Sequence, residues 1–145
     1  MRISKESLGL VVLALSVGLW PAPGIAADPI NSYNDGRIIQ GGTYANTVDG
    51  KTTFTNSSGG GLWLKAGSTL RGVEVNSSGV ATNNGGTLHL YAPDNVVRVD
   101  GNINVNALQN GQGTYLGNGG KVFIDSGYLF QNGNIFANGV NGGLV

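Results

Sequence analysis

The sequence repeats a Gly-Gly pair that leads into a short apolar segment. The four copies read GGLWL at residues 60–64, GGTLHL at 85–90, GGKVFI at 119–124 and GGLV at 142–145. The pairs begin at residues 60, 85, 119 and 142, at intervals of 25, 34 and 23 residues. In the second and third copies apolar and polar residues alternate, which is typical of a strand with one buried face. Segments repeated in a fixed order at such intervals indicate stacked units that share one core.

A second repeated segment follows each of the first three pairs. It reads LRGVEVN at residues 70–76, VDGNINVN at 99–106 and FQNGNIFAN at 130–138. Each copy has an apolar residue, a glycine turn and an alternating strand. The sequence therefore predicts three equivalent pairs of apolar residues: Val73 and Val75, Ile103 and Val105, and Ile135 and Ala137. We interpret QNGQGTYLGNG at residues 109–119 as an insertion that lengthens the middle interval.

These repeats predict an all-β chain, with a right-handed parallel β-helix, or β-solenoid, over residues 60–145 and a last unit truncated at the C-terminus. Residues 28–59 are less regular, so we expect an N-terminal cap or an irregular first coil, with short strands around residues 38–39 and 52–55. Glycine adopts the positive φ of sharp corners, and asparagines at equivalent positions can form side-chain ladders. An antiparallel β-sandwich is the alternative, because Asn-Gly, as at residues 132–133, also favours hairpins.

Residues 1–27 have the layout of a secretory signal peptide. Two basic residues come first, residues 8–20 are apolar, and small residues precede a cleavage site that we place after Ala26 or Ala27. The apolar run is shorter than the roughly 20 residues that span a bilayer. An uncleaved N-terminal anchor is the alternative. The sequence therefore predicts Sec-type export and an extracellular or cell-surface location.

The charge balance of the predicted mature chain limits its partners. Residues 1–27 contain two of the 8 basic and one of the 8 acidic residues, which leaves six against seven and a net charge of −1. This argues against a nucleic acid partner, because proteins that bind nucleic acids present basic faces. The chain has no cysteine, so we expect a long backbone hydrogen-bond ladder, rather than disulfides, to stabilise it.

Two units, residues 85–106 and 119–143, resemble the repeats of filamentous-haemagglutinin-like exoproteins, which are large secreted β-helix adhesins of Gram-negative bacteria. The shared pattern is Gly-Gly, an alternating strand, a small-residue corner, a Gly-Asn-Ile type strand and an Asn-Gly corner. The resemblance implies a non-catalytic rod, the N-terminal piece of a longer adhesin, that contacts glycans or proteins of a host or environmental surface. Many members carry an Asn-Pro-Asn motif that an outer-membrane export partner reads, and DPINSYN at residues 28–34 lacks it. The resemblance therefore implies a fold but not an export route.

The residues that could carry chemistry are scattered, so the sequence predicts no catalytic, cofactor-binding or metal-binding residue and no cofactor. His89 is the only histidine, and its apolar neighbours Leu88 and Leu90 place it on the outer face, so we expect a lone surface histidine. The acidic residues are isolated along the chain: Asp35, Asp49, Glu74, Asp94, Asp100 and Asp125.

Two alternative functions remain open. One is a polysaccharide-active β-helix enzyme, whose clustered carboxylates would lie in coils beyond residue 145. The other is an autotransporter passenger or a matrix component that self-associates through the open edge of a coil.

Two aromatic residues are candidates for surface contact. The alternation of apolar and polar residues places Trp63 and Phe123 on the outward side of their strands. Each side chain could pack against a flanking loop or a second element of the same chain. Alternatively, the two could form a surface that contacts a sugar or a protein.

Overall fold

The computed structural model of the protein describes residues 36–145. Every regular element in that range is a β-strand, which confirms the all-β class. The strands are β1 (Arg37–Ile38), β2 (Gly42–Thr47), β3 (Thr52–Thr55), β4 (Leu62–Leu64), β5 (Thr69–Val75), β6 (Ala81–Gly85), β7 (Thr87–Val99), β8 (Asn102–Asn104), β9 (Lys121–Gln131) and β10 (Ile135–Phe136). None of the elements within residues 36–145 is a helix of the length and apolar character needed to cross a membrane.

The strands form two sheets whose pairing is almost entirely parallel. One sheet has the order β1-β4-β7-β3, with β9 also on β7, and the other has the order β10-β8-β5-β2, with β6 also on β5. Among the described residues seven of the eight strand pairs are parallel, and only β5 and β6 are antiparallel. This arrangement is compatible with the predicted β-helix, whereas an antiparallel β-sandwich would pair its strands in the opposite sense.

Successive segments of the chain supply neighbouring strands. In the second sheet, Leu70 pairs with Gly42 on one side and with Ile103 on the other, and Ile103 pairs with Ile135. Strands far apart in sequence therefore lie side by side in the order in which the chain makes them. Parallel strands cannot be joined by a tight hairpin, so the chain must cross over between them.

Strand β7 belongs to two rows of pairing, which an irregular stretch in its middle separates. Its register with β9 shifts between Ala92 and Val96, a stretch that contains Pro93, which has no N–H to donate to the ladder. The first half of β7 pairs with β3, the second half pairs with β4, and β9 follows both halves. The described chain thus divides into four units, each with segments in the same three rows: residues 37–55, 62–91, 97–125 and 129–144.

The core consists of apolar side chains that point inward from all three rows. In the middle units the inward residues are fully buried: Leu62, Leu64, Leu70, Leu88, Leu90, Val97, Val99, Ile103 and Val105. Full burial of one such side chain stabilises the fold by roughly 1.5–3 kcal/mol. The last unit is more open, since Leu129 is 45% exposed while its partner Val97 is 0% exposed. The middle units therefore hold most of the buried core.

The Gly-Gly pairs are needed for a different reason from the one expected. None of these glycines has a φ in the left-handed region, although positive φ was the predicted reason for corner glycines. Instead, a Cβ on Gly120 would lie 2.0 Å from the carbonyl oxygen of Gly86, and a Cβ on Gly143 would lie 2.2 Å from that of Gly120. These three glycines stand side by side where neighbouring backbones approach too closely for any side chain.

The predicted register is right for the later units and wrong for the first one. Strand pairing aligns Thr87 with Lys121, and Leu144 bridges to Lys121, as the last three Gly-Gly pairs predicted. In contrast, Leu62 of GGLWL pairs with Val97 and lies in a different row from GGTLHL. The close approach recurs at a second corner, where a Cβ on Gly61 would lie 2.6 Å from the Val96 carbonyl oxygen.

The second repeated segment is displaced from its predicted register in the same way. Ile103 pairs with Ile135, as predicted, but its partner in the earlier unit is Leu70 and not Val73. The reason is an antiparallel excursion in that earlier unit, in which β6 folds back on β5 and pairs with Val73 and Val75. The longer segment shifts the sequence spacing without changing the order of the rows.

Two hairpins leave the sheets through the same type of turn. Asn76 and Asn110 each accept hydrogen bonds at Oδ1 from the backbone N–H groups two and four residues ahead, at 2.9–3.0 Å. Gly79 and Gly113 follow with φ of 76° and 80°, which glycine adopts without strain. The second hairpin, closed by a bridge between Gln109 and Tyr115, lies inside the insertion predicted at residues 109–119.

Asparagines at equivalent positions of the third and fourth units contact each other, mostly from side chain to backbone rather than in the predicted side-chain ladder. Asn102 accepts a hydrogen bond from the backbone N–H of Asn134, at 3.2 Å, and Asn106 accepts from that of Asn138, at 2.7 Å. The Asn138 side chain also donates to the Asn106 side chain, at 3.1 Å. These contacts add to backbone hydrogen bonds that continue past the strands, such as the one from the Ala107 N–H to the Asn138 carbonyl oxygen, at 2.8 Å.

The segment before residue 60 contains the two expected short strands, β1 and β3. Strand β2 was missed, because its sequence GTYANT lacks a run of large apolar residues. It nevertheless pairs along its whole length with β5. Its buried Asn46 accepts a hydrogen bond from the Thr87 N–H, at 3.0 Å, and donates to the Thr87 carbonyl oxygen, at 2.7 Å. The predicted signal peptide, with Ala26 and Ala27, lies outside the described residues.

Candidate surface-contact site

The outward side chains of β3, β7 and β9 form a regular grid. Leu88 and Leu90 point inward, so the residues between and beside them point outward. Strand pairing then sets these outward residues side by side across the three strands. Thr53, His89 and Phe123 are aligned in this way, and so are Thr55, Tyr91 and Asp125. Asp125 therefore has no acidic side chain beside it across the strands.

His89 is not the surface histidine that the sequence predicts. Its side chain does point outward, but the residue is only 7% exposed. The Nε2 atom lies 2.6 Å from Oδ2 of Asp125, and the rings of Tyr91 and Phe123 make edge contacts at 5.3 and 6.2 Å between centroids. Side chains of the same strand and of its neighbour therefore cover the imidazole.

Phe123 lies on the rim of a cleft beside this grid. The side chain is 40% exposed, and His89 supports one edge of its ring. The cleft has a volume of about 440 Å³ and lies between the outward grid and the segments that form the corner with the second sheet. Its polar and aromatic lining comprises Asp49, Lys51, Glu74, Asn84, Thr87, Asn118, Lys121 and Phe123.

One wall of the cleft is a connected hydrogen-bond network. Oε1 of Glu74 accepts hydrogen bonds from the Thr82 hydroxyl and from Nδ2 of Asn84, both at 3.0 Å. Oδ1 of Asn84 accepts from the backbone N–H of Asn118, at 2.9 Å, and Oδ1 of Asn118 accepts from Nδ2 of Asn141, at 2.8 Å. The network crosses three units of the chain, so it holds the polar groups of this wall in fixed positions.

Two lysines line the cleft on the side of the grid. Thr87 pairs with Lys121, and Lys51 comes directly before Thr52, the partner of Leu88. Lys51 and Lys121 are thus at equivalent positions two strands apart. Both are exposed, and within residues 36–145 neither forms an ion pair.

Trp63 lies in another row, and its side chain is occupied by contacts within the chain. Its Nε1 donates a hydrogen bond to Oδ2 of Asp100, at 2.8 Å. The ammonium of Lys65 and the guanidinium of Arg98 lie 5.0 and 5.1 Å from the ring centroid. These cation–π contacts cover much of the ring. Trp63 and Phe123 are therefore not parts of one aromatic surface.

Asp100 is the centre of this second cluster. Besides Trp63, Arg98 donates to its Oδ2 at 2.5 Å, and Asn132 donates to its Oδ1 at 2.8 Å. Burial alone would raise the pKa of this carboxyl. The hydrogen bonds from Asn132, Arg98 and Trp63, together with the charge of Arg98, outweigh that effect and hold the pKa of Asp100 below its ordinary value. Asp100 is thus a structural anion that joins three units.

Within the described part of the chain, no group of three or more histidine, cysteine, aspartate or glutamate side chains could hold a metal ion. The pair of His89 and Asp125 is joined by a short contact, but the Nδ1 atom of His89 is buried and makes no hydrogen bond within residues 36–145. The cleft, in contrast, combines donors, acceptors and an exposed aromatic ring. Sequence reasoning missed it, because Glu74, Lys51 and Lys121 converge only once the strand register is known.

The comparison with known proteins gives no match: no family model fits the chain, and neither a curated protein nor a solved structure is significantly similar to it.

Proposed function

We propose that this chain is a β-solenoid segment of an exported, non-catalytic, adhesin-like protein, and that its coils form a right-handed parallel β-helix. The observation that carries the proposal is the pairing of each described unit with the next in parallel, in the same order of rows. Each unit supplies one layer of core and one layer of outward side chains. Repetition of such a unit produces a stiff rod rather than a single enclosed pocket.

The rod would act by geometry. Buried Leu and Val columns fix the axis, while asparagine and glycine contacts fix the corners. Outward residues then keep constant positions along and across the strands, at about 4.8 Å per strand. Many weak contacts from such a fixed array add up to firm attachment to a surface.

The sequence supports the proposed location and partners. Residues 1–27 would direct export by a Sec-type route to the cell surface or the medium, as in Gram-negative exoproteins. The partners would be glycans or proteins of a host or environmental surface, and an outer-membrane export partner belongs to the same proposal. Resemblance to filamentous-haemagglutinin-like repeats supports this role by analogy.

Binding to surfaces tests the function. The full chain is expressed with its N-terminal segment in a Gram-negative host and collected after export. We expect it to be retained on surfaces coated with mixed glycans or with matrix proteins, and not on a blocked blank surface. If it stays in the cytoplasm, or if it is retained on no coated surface, the proposed function is wrong.

Engineered disulfides test the stacking of coils independently. The chain has no cysteine, so Thr69→Cys with Asn102→Cys creates a single pair at directly opposed positions. Neighbouring strands lie about 4.8 Å apart, which a disulfide can bridge. The control pair, Thr69→Cys with Asn134→Cys, is two strands apart and too distant. We expect an internal disulfide in the first variant only, detected by mass spectrometry after alkylation.

A further inference from the structure

We propose that the cleft beside Phe123 binds an oligosaccharide that carries a carboxylate. This inference rests on the proposed function and assigns a ligand class to one part of the outward surface. The cleft falls within the roughly 300–1,000 Å³ typical of small-ligand sites, with a volume of about 440 Å³. A protein partner needs about 800 Å² of surface on each side, which a cleft of this size does not offer. The size therefore favours a short chain of sugar rings.

The exposed ring of Phe123 supplies the apolar contact. A sugar ring has a face made of C–H groups, and an aromatic side chain offers a large rigid surface for such a face at low entropic cost. Phe123 is 40% exposed at the rim of the cleft, and its contact with the His89 ring limits its orientations. An aromatic side chain held in this way is ready to receive a ring before the ligand arrives.

The network on the opposite wall supplies hydrogen-bond donors and acceptors for the hydroxyl groups of the sugar. Both hydrogen bonds to Glu74 reach Oε1, so Oε2 remains as an acceptor for a hydroxyl that donates. Asn118 uses its Oδ1 within the network, while its Nδ2 remains as a donor. Sugar hydroxyls both donate and accept, so a wall with fixed donors and acceptors fits them. Positions held by a network lose little freedom on binding, which improves affinity.

The two lysines supply the charge that selects an acidic sugar. Lys51 and Lys121 stand two strands apart, so their Cα atoms are roughly 10 Å apart. Neither forms an ion pair within residues 36–145, so either ammonium can take a ligand carboxylate in a charge-assisted hydrogen bond. Two acids also line the cleft: Glu74, on the other wall, and Asp49, two residues before Lys51. Each disfavours a carboxylate beside it, so the charges place the ligand carboxylate beside Lys121 and a hydroxyl on the Glu74 side.

Calorimetry with short oligosaccharides tests the inference on the intact chain. The probes are a trimer of a uronic acid and the neutral trimer that has hydroxymethyl groups in place of the carboxylates. We expect the acidic trimer to bind, more weakly as salt is added, and the neutral trimer to bind at least about tenfold more weakly. Equal affinity for the two probes would overturn the charge assignment.

Matched variants locate the site. We expect Phe123→Ala and Lys121→Gln each to weaken binding of the acidic trimer by about tenfold or more. Phe136→Ala is the control, because Phe136 is 38% exposed on β10 and does not line the cleft. Circular dichroism checks that each variant is folded. If Phe123→Ala binds as tightly as Phe136→Ala, the site is not this cleft.

The two proposals can fail separately. A chain that is retained on coated surfaces but binds neither trimer refutes the cleft and leaves the surface role standing. A chain that binds the acidic trimer through Phe123 but is retained on no coated surface refutes the surface role and leaves the cleft assigned.

Discussion

Gly120 lies where the backbone of residues 85–86 leaves no space for a side chain. A Cβ at this position would lie 2.0 Å from the Gly86 carbonyl oxygen, which is backbone and cannot move aside alone. We expect Gly120→Ala to lower the free energy of unfolding by about 1–3 kcal/mol or more, as overpacking does. Urea denaturation followed by circular dichroism measures the change.

Gly111→Ala is the matched control for this substitution. No atom lies within 4 Å of a Cβ at Gly111, and its φ is not in the left-handed region. We expect a change within about 0.5 kcal/mol, as at ordinary surface positions. A similar loss of stability in the two variants would mean that close approach is not the reason for glycine at residue 120.

Asp100 makes stability depend on pH in the acidic range. Its pKa is lowered in the folded state, so the ionised carboxylate stabilises the fold at every pH above the ordinary pKa of an aspartate, and this stability is lost as pH falls through the lower, folded pKa. We expect Asp100→Asn to cost on the order of 1–2 kcal/mol at pH 7, the charged hydrogen bonds being weakened by nearby solvent. The difference from the wild type should shrink below pH 4.

Urea midpoints of the two proteins at pH 7 and pH 3 measure this effect. Asp94→Asn serves as the control, because Asp94 is exposed and its carboxylate forms no hydrogen bond or ion pair within residues 36–145. A gap between the wild type and Asp100→Asn that is the same at both pH values would contradict the role of the ionised carboxylate.

The sequence predicted which side of its strand a side chain points to, but it did not predict whether other side chains cover it. Alternation around Leu88 and Leu90 correctly placed His89 on the outward side of its strand. The imidazole is nevertheless buried, because Phe123 and Asp125 arrive from a strand much later in the sequence. Which outward side chains are covered depends on register between units, and a single sequence does not show that register directly.

At the scale of the strand, one column of stacked inward side chains runs from the middle units into the last unit. Leu62 pairs with Val97, and Val97 pairs with Leu129. Leu62 is 0% exposed, so we expect Leu62→Ala to cost about 2–5 kcal/mol through lost burial and a new cavity. Leu129 is 45% exposed, so Leu129→Ala should cost about 1 kcal/mol or less. Urea denaturation of both variants measures the contrast, and equal losses would contradict this column.

The strands also show why repeats in the sequence predicted the fold better than the register. GGTLHL and GGKVFI occupy equivalent rows, and their similarity was a true sign of stacking. GGLWL resembles them, yet it starts a different row, because a glycine before an apolar strand meets the same steric need at more than one corner. The hairpin in which β6 folds back on β5 also adds residues to its unit, so the spacing in the sequence no longer matches the register of the strands. Similar local sequence therefore indicates similar corners, not the same corner.

At the scale of the whole molecule, the described units differ in how much each depends on its neighbours. Strand β7 pairs with β3 and β4 on one side and with β9 on the other, whereas β10 pairs with β8 alone. In a stack of units stability is roughly a sum of unit and interface terms, so a unit with one interface opens more easily than a unit with two. The stack should therefore open locally before it unfolds as a whole.

Hydrogen exchange of the backbone amides tests this gradient in the intact chain. We expect the amides of Leu90 and Val99, inside β7, to exchange slowest, and those of Phe136 and Leu144 to exchange fastest among the amides with hydrogen-bond partners. The physical reason is that opening the last unit exposes Leu129 and Ile135, which are already partly exposed, while opening β7 exposes the fully buried core. Exchange at one common rate along all rows would show instead that the chain unfolds as a single cooperative block.

The same measurement on Gly120→Ala adds a spatial check, because the backbone strain at residue 120 should speed exchange in β9 and at Leu144 more than in β2, which lies two units away.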